Sequence, residues 1–469
     1  ILAALLPPAA DAAAGPGCNF VLGFKTLHDQ LPAQVGACIE DQAFAANGNA
    51  EQHTSGGLLV WRKVDNWTAF TDGFRTWING PNGLQQRLNS ARFPWEADAG
   101  IPGWTGDGIA LDGALTLRSA PNPFDCTDLP SGHYDSSIGL CSATDGQHVY
   151  NGGSFVYASA ISPVHPTAPF TRLVASWNAS TPAGTWIEVH ARAQVGQAWT
   201  KWYSLGVWVS DTASVQRHSL DNQADQNGDV ATDTLELKRP ADGYQLQVTL
   251  FAATPGATPS VQSVSAVALN PHPSPLSHGE GTAVELAVPA RSQMLAAYRG
   301  LGFGGGGEAW CSPTSTSMIM AYWADVLGRP ELRQSVPTVA AGTYDYAYQG
   351  AGNWPFNVAY AASFGLAGRV GQFDSFSALQ PWLAARVPVA ISLSFQPGQL
   401  SGAPIASTPG HLIVVRGFNA AGDVLVDDPA EPSDGIATTY NRAELERAWQ
   451  SGSGGIAYLL YPPGWPIPS

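Results

Sequence analysis

Charge is scarce in this chain of 469 residues: Asp, Glu, Lys and Arg make up 13% of it, about half the usual quarter of a soluble protein. Lysine is scarcest, with Lys25, Lys63, Lys201 and Lys238 alone among 22 basic residues. No Lys/Arg run is present, and the formal net charge is −15. Nucleic acid and anionic membranes are held by clustered positive charge, so both partner classes are excluded. No stretch reaches the roughly 18–20 uninterrupted apolar residues of a bilayer-spanning helix. Disorder is excluded from the opposite side. The hydrophobic share is 44%, and 16 Trp need a core or a ligand to cover them. Gly and Pro, 51 and 36 residues, together fall short of the roughly 25–30% of low-complexity chains. At roughly 150 residues per domain, the length predicts about three domains.

Cysteine is the second scarcity, and its five positions are informative. Cys18, Cys38, Cys126 and Cys141 form two close pairs in the first third of the chain. The opening ILAALLPPAADAAAGPG reads as the tail of a signal peptide over residues 1–14. Ile1 to Leu6 is the apolar core, and Ala10-Asp11-Ala12 and Ala12-Ala13-Ala14 both fit a cleavage site. The expectation is therefore a secreted protein, and abundant Ala and Gly with little Lys suggests a bacterial one. In an exported chain the four cysteines are expected to oxidise as Cys18–Cys38 and Cys126–Cys141, one of three pairings. Cys311 is then left over, either a small buried apolar group or a reactive thiol.

Composition divides the rest. Residues 15–97 read as a small, disulfide-stapled, aromatic-rich unit of short strands and tight turns. Trp61, Trp67, Phe70, Phe74 and Trp77 alternate with polar residues there. These rings either form the unit's core or stack on a sugar or polymer, and the core is favoured. Residues 98–270 carry β-rich runs such as RLVASWNAS, TWIEVHARAQ and YQLQVTLFAA between turn signals, the pattern of a β-sandwich. Within them Asp225, Asn227, Asp229, Asp233 and Glu236 stand at calcium-loop offsets. Val230 occupies the position that needs Gly, so a solvated acidic loop is the expectation rather than a metal site. Residues 271–282, PHPSPLSHGEGT, read as a linker. Residues 283–469 mix helix and strand signals, so the fold class expected is multidomain, all-β regions followed by an α+β domain.

The chemistry falls in this last region. A Gly-rich run, GFGGGG, ends close before Trp310-Cys311. Ser312 is a candidate N-cap, Pro313 suits a first helical position, and Gly328 and Pro330 stop a helix of about fifteen residues. A cysteine at a helix N-terminus has free N–H groups and a helix dipole that favour thiolate and can hold an oxyanion. The glycines are expected to let the backbone approach a substrate. His411 is the sole histidine after residue 282. It opens the strand HLIVVRGF, which turns at Asn419–Gly422 into DVLV and ends in Asp427-Asp428-Pro429. Antiparallel pairing brings His411 to the carboxylates, where an acid can orient the imidazole.

In WCSPTSTSM, GHLIVVRGF and VLVDDPA the chain resembles the papain-like bacterial double-glycine peptidases and their secreted relatives, over about residues 285–465. The resemblance implies a cysteine peptidase or amidase with Cys311 as nucleophile, His411 as proton shuttle and the acid before Pro429, Asp428, as orienting group. Many relatives carry Asn where this chain has Asp427, which keeps that second acid in play. It also implies an oxyanion-hole glutamine, and VPARSQM offers Gln293; Glu308 is the weaker alternative, because a carboxylate repels an oxyanion. The substrate implied is a peptide or protein, cell-wall peptide included, with no metal and no cofactor. Acyl transfer on the same site, or a surface-binding protein with an idle peptidase-like domain, are the rival readings. Tyr344, Tyr346, Tyr348 and Trp354 lie on a Gly-rich loop and either wall the cleft or pack.

Overall fold

The computed structural model describes residues 18–88, strands at 109–116, 133–135 and 140–142, and residues 154–468, short internal stretches excepted. The expected signal remnant 1–14, the Cys126–Cys141 pairing, Phe74 and most of 271–282 lie outside the described residues. The chain forms two compact units, Ile1–Pro102 and Gly103–Ser469. It is multidomain and mostly sheet with few helices.

The first unit opens with helices α1 (Leu22–Gln30) and α2 (Pro32–Val35) and continues as six antiparallel strands in chain order. An all-strand reading of this unit is thereby corrected. In LGFKTLHDQ, Phe24 and Leu27 stand three apart, one helical face. They pack with Val35, Leu59, Phe70 and Trp77 into the core. The Cys18–Cys38 disulfide ties the segment before α1 to the segment before the first strand. Phe70 and Trp77 are buried in that core, with Trp61 packed against it.

The second unit holds two sheets. In the first, the 19-residue strand Thr234–Ala252 pairs with Ser154–Ile161, His165–Ser180, Thr185–Val195 and Gly228–Ala231. The second has seven strands, in the order 367–372, 456–461, 389–395, 408–418, 424–427 and 438–440, with 284–285 added alongside 408–418. Around it lie α3 (Cys311–Leu327), α4 (Val336–Thr343), α5 (Trp354–Ser363), α6 (Phe376–Ala384) and α7 (Arg442–Ser453). Every residue of α3 from Ser312 to Ala324 is buried, so this helix is enclosed on all sides, as its continuous run of apolar and small side chains requires.

The two sheets are joined by side chains that answer the open backbone of strand Ala367–Gln372. Asn178 donates from Nδ2 to the Gly368 carbonyl at 2.8 Å and accepts from the Gly368 N–H at 2.7 Å. Ser176 Oγ accepts from the Val370 N–H at 3.0 Å. An edge strand left unpaired exposes such groups; here the carboxamide imitates a neighbouring strand. The expected β-sandwich region, from residue 103 on, and region 283–469 thus lie within one compact unit.

Candidate active site

Cys311 is the first residue of α3, half-buried, with a free thiol. The helix starts two residues earlier than the sequence suggests, with Trp310 rather than Ser312 at the cap position. Ser312 Oγ shares a hydrogen bond with the buried Tyr458 hydroxyl at 2.7 Å instead. Pro313 sits in the first turn, where its missing N–H leaves no helical bond unmade. Gly328, in the left-handed region at φ 65°, closes the helix. Burial disfavours the Cys311 thiolate, but a hydrogen bond and charge from His411, with the N–H groups of Leu412 and Ser312, outweigh it. The thiol is therefore held below its ordinary pKa.

His411 stands on the central strand Thr408–Phe418, and Ser315 Oγ of α3 donates to the next carbonyl, Leu412, at 3.1 Å. That bond fixes the helix start against the histidine strand. The turn at Asn419–Gly422 closes with Asn419 N–H donating to Asp423 at 3.0 Å, and Val414 then pairs with Asp427. This register carries Asp428 past the strand end and beside His411, whose Nε2 lies 2.7 Å from Asp428 Oδ1. With Nε2 engaged, Nδ1 is the ring nitrogen left for the thiol. Burial pushes His411 toward its neutral form, yet the charge and hydrogen bond of Asp428 prevail and raise its pKa. Burial likewise acts against ionised Asp428, and the His411 charge outweighs it, so that carboxyl is held below its usual range.

Two further donors complete the carboxylate shell. Tyr440 donates its hydroxyl to Asp428 Oδ2 at 2.7 Å, and the Ala430 N–H reaches Oδ1 at 2.9 Å. Tyr440 escapes sequence reading because no motif marks it; it arrives from the neighbouring strand Thr438–Tyr440.

Asp427 takes the opposite face, as strand alternation requires. It points neither to solvent nor into the His411 site. It is 1% exposed, beside Arg416 Nε at 3.1 Å. The ion pair is close but poorly aligned, since neither carboxylate oxygen nor that nitrogen completes a hydrogen bond. Burial pushes Asp427 up to about 7, against the opposing charge of Arg416. The added strand Val284–Glu285 lines the same sheet and brings Glu285 to Arg416, and the Glu285 charge adds to the rise.

Gln293 is buried between the acid loop and the segment before Cys311. Its N–H donates to the Pro429 carbonyl and its Nε2 to the Glu308 carbonyl, each at 2.8 Å. Its Oε1 is buried with no hydrogen-bond partner. The Glu308 side chain is exposed, so that residue meets Gln293 through its backbone. One glycine of the run makes room for this contact. Gly306 adopts φ 97°, and a Cβ at Gly307 would stand 1.9 Å from the Gln293 carbonyl oxygen.

The acidic stretch from Asp225 to Glu236 is not a solvated loop: it is a β-hairpin in which strand Gly228–Ala231 pairs with the start of strand Thr234–Ala252. Asp225 accepts from the Tyr203 hydroxyl at 2.6 Å and from the Asn227 and Gly228 N–H groups. Asp233 is buried and accepts the Trp354 N–H at 2.6 Å, at the start of α5. Burial, with the charge of Asp345 nearby, pushes it up to about 6. Of the loop aromatics, Tyr344 packs on Phe303 and Tyr346, whereas Tyr348 stays exposed.

A helix-borne thiol with a carboxylate-oriented imidazole defines a class, and the comparisons name it. Residues 285–455 match the Peptidase_C39 like family, and residues 104–268 match the Peptidase C39 N-terminal domain. Both family models, each matching less than half of the chain, support a C39-type peptidase. No curated protein matches it. Among solved structures it is similar to a Bacillus anthracis protein whose C39-like peptidase assignment is itself provisional. That likeness has 16% identity and a TM-score of 0.27, covering 38% of this chain and 98% of that one. Another similarity, to carbohydrate-binding modules of the β-sandwich superfamily, has 9% identity and a TM-score of 0.16, covering 48% and 96%.

Proposed function

We propose that the chain is a secreted, papain-like cysteine peptidase that hydrolyses a peptide or amide bond through Cys311, His411 and Asp428. The observation that carries this reading is the His411–Asp428 hydrogen bond beside a lowered-pKa thiol at a helix N-terminus. The Cys311 thiolate attacks the acyl carbon, forming the C–S bond while the carbonyl electrons move onto oxygen. The backbone N–H groups at the start of α3 and the second N–H of Gln293 Nε2 are the proposed oxyanion donors. His411, protonated on Nδ1, gives its proton to the leaving amine as the C–N bond breaks, and a thioester remains. Water attacks that thioester and gives its proton to His411, and the Cys311 thiolate departs. Asp428 holds the ring and its positive charge throughout. The Cys18–Cys38 disulfide supports an oxidising compartment.

The test is hydrolysis of a mixed peptide library by the intact protein, with Cys311→Ala as control. Cleavage by the wild type alone supports the reading. No cleavage, together with no accelerated labelling of Cys311 by iodoacetamide, overturns it. Products that appear only with an added amine acceptor replace hydrolysis by acyl transfer.

A further inference from the structure

Among the described residues of the second unit, Tyr348 is the one exposed aromatic ring, at 52%. An exposed ring on a slack loop would mean little, but this loop is built. The N–H groups of Ala347 and Tyr348 donate to buried Asp345 at 3.0 and 3.1 Å. The same carboxylate takes the Asn353 side-chain amide at 3.0 Å and the N–H of Ser219, from the N-terminal β-region, at 3.1 Å. The Tyr346 N–H donates to the Arg217 carbonyl at 3.1 Å, and the Arg217 guanidinium donates to the Ala341 carbonyl at 2.9 Å.

The ring itself is seated. A Cβ at Gly350 would meet its edge at 2.5 Å, so a side chain there would displace it. The far end of the loop adjoins the thiol: Ala351 packs with Trp310, the residue before Cys311. The Ala351 carbonyl accepts from Asn357, whose own oxygen accepts from Thr316 of α3 at 3.1 Å. Consistent with that nearness, the Cys311 charge acts on the Tyr348 hydroxyl.

We propose that Tyr348 is a specificity-determining residue of this active site, its exposed ring taking an apolar side chain of the peptide substrate. The β-region that carries Arg217 and Ser219 holds the loop that bears the ring, which makes that region a builder of the site rather than a detachable carrier. This rests on the peptidase reading above. A flat ring pressed on glycine backbone offers apolar area that a substrate side chain covers. Its loop is ordered before binding, so little ordering cost falls on recognition.

The experiment profiles a peptide library with the full chain as wild type, Tyr348→Ala and Tyr348→Phe. The wild type is expected to prefer an apolar side chain at one position flanking the cut. Tyr348→Ala should flatten that preference and lower kcat/KM on favoured peptides about tenfold, mainly through KM, with an unchanged melting temperature. Tyr348→Phe should restore the profile. A binding arm uses Cys311→Ala with and without Tyr348→Ala against the same peptides. If the wild type cleaves nothing but Cys311→Ala binds apolar peptides in a Tyr348-dependent way, hydrolysis fails and the ring's role stands. If peptides are cleaved and Tyr348→Ala changes neither profile nor KM, the ring's role is overturned and hydrolysis stands. Neither cleavage nor binding overturns both.

Discussion

His411 and Asp428 are both buried and joined by a 2.7 Å hydrogen bond from Nε2 to Oδ1, which leaves Nδ1 of the ring toward Cys311. Asp427, one residue earlier, faces Arg416 on the other side of the strand. Asp428→Ala should therefore lower turnover at least about a hundredfold, and Asp428→Asn less, because the amide oxygen still accepts from the ring. Asp427→Asn should stay within a few-fold of wild type. Steady-state kinetics with circular dichroism as a folding check decides this; equal effects or the reverse ranking would mean that the wrong acid was assigned.

Tyr440→Phe removes the hydrogen bond to Asp428 Oδ2 and leaves a buried carboxylate oxygen short of a donor. The cost should be about 1–3 kcal/mol in stability. Tyr440 favours ionised Asp428, so its loss should move the acid limb of the pH–rate profile upward. Denaturant melts and pH–rate curves measure the two effects separately. A shift of that limb downward counts against the network.

The lowered pKa of Cys311 should appear as fast alkylation by iodoacetamide at pH 6, where a free thiol of pKa about 8.5 is almost wholly protonated. His411→Ala removes the strongest opposing influence on burial, so the thiol's pKa should rise and the pH 6 rate should fall. An identical pH profile in the two proteins would sink the thiolate–imidazolium pair.

Asp233 links pH to the junction between the β-region and α5. Burial raises its folded pKa from the ordinary carboxylate range to about 6. A raised acid binds its proton more tightly when folded, so its contribution is complete below about pH 4 and is lost as pH rises through 6. That amounts to about 3 kcal/mol at neutral pH. Asp427, also raised, acts with the same sign. Asp233→Asn keeps an acceptor for the Trp354 N–H and should flatten the fall in melting temperature between pH 4 and 7. If the variant's stability declines as steeply as the wild type's, the ionisation of Asp233 is not its source.

Sequence by itself determined what short-range rules carry. Gly328 ended α3, the Asn419–Gly422 turn fixed the hairpin, and one Cys with one His in the last region left few partners for a nucleophile. Cys18 and Cys38, twenty residues apart, were legible as a pair. Helix α1 was missed because its apolar face is only Phe24 and Leu27, too short a period to stand out beside the Trp-rich strands. Tertiary structure decided the rest. Tyr440 reaches Asp428 across a sheet, Asp427 is buried beside Arg416, and Ser219 meets Asp345 over 126 residues of chain. Such contacts have no local signature: they arise when packing two sheets leaves buried polar groups that must find partners. For the same reason the glycines before Cys311 were legible as a place of close approach, while only the fold decided that Gln293 is what approaches.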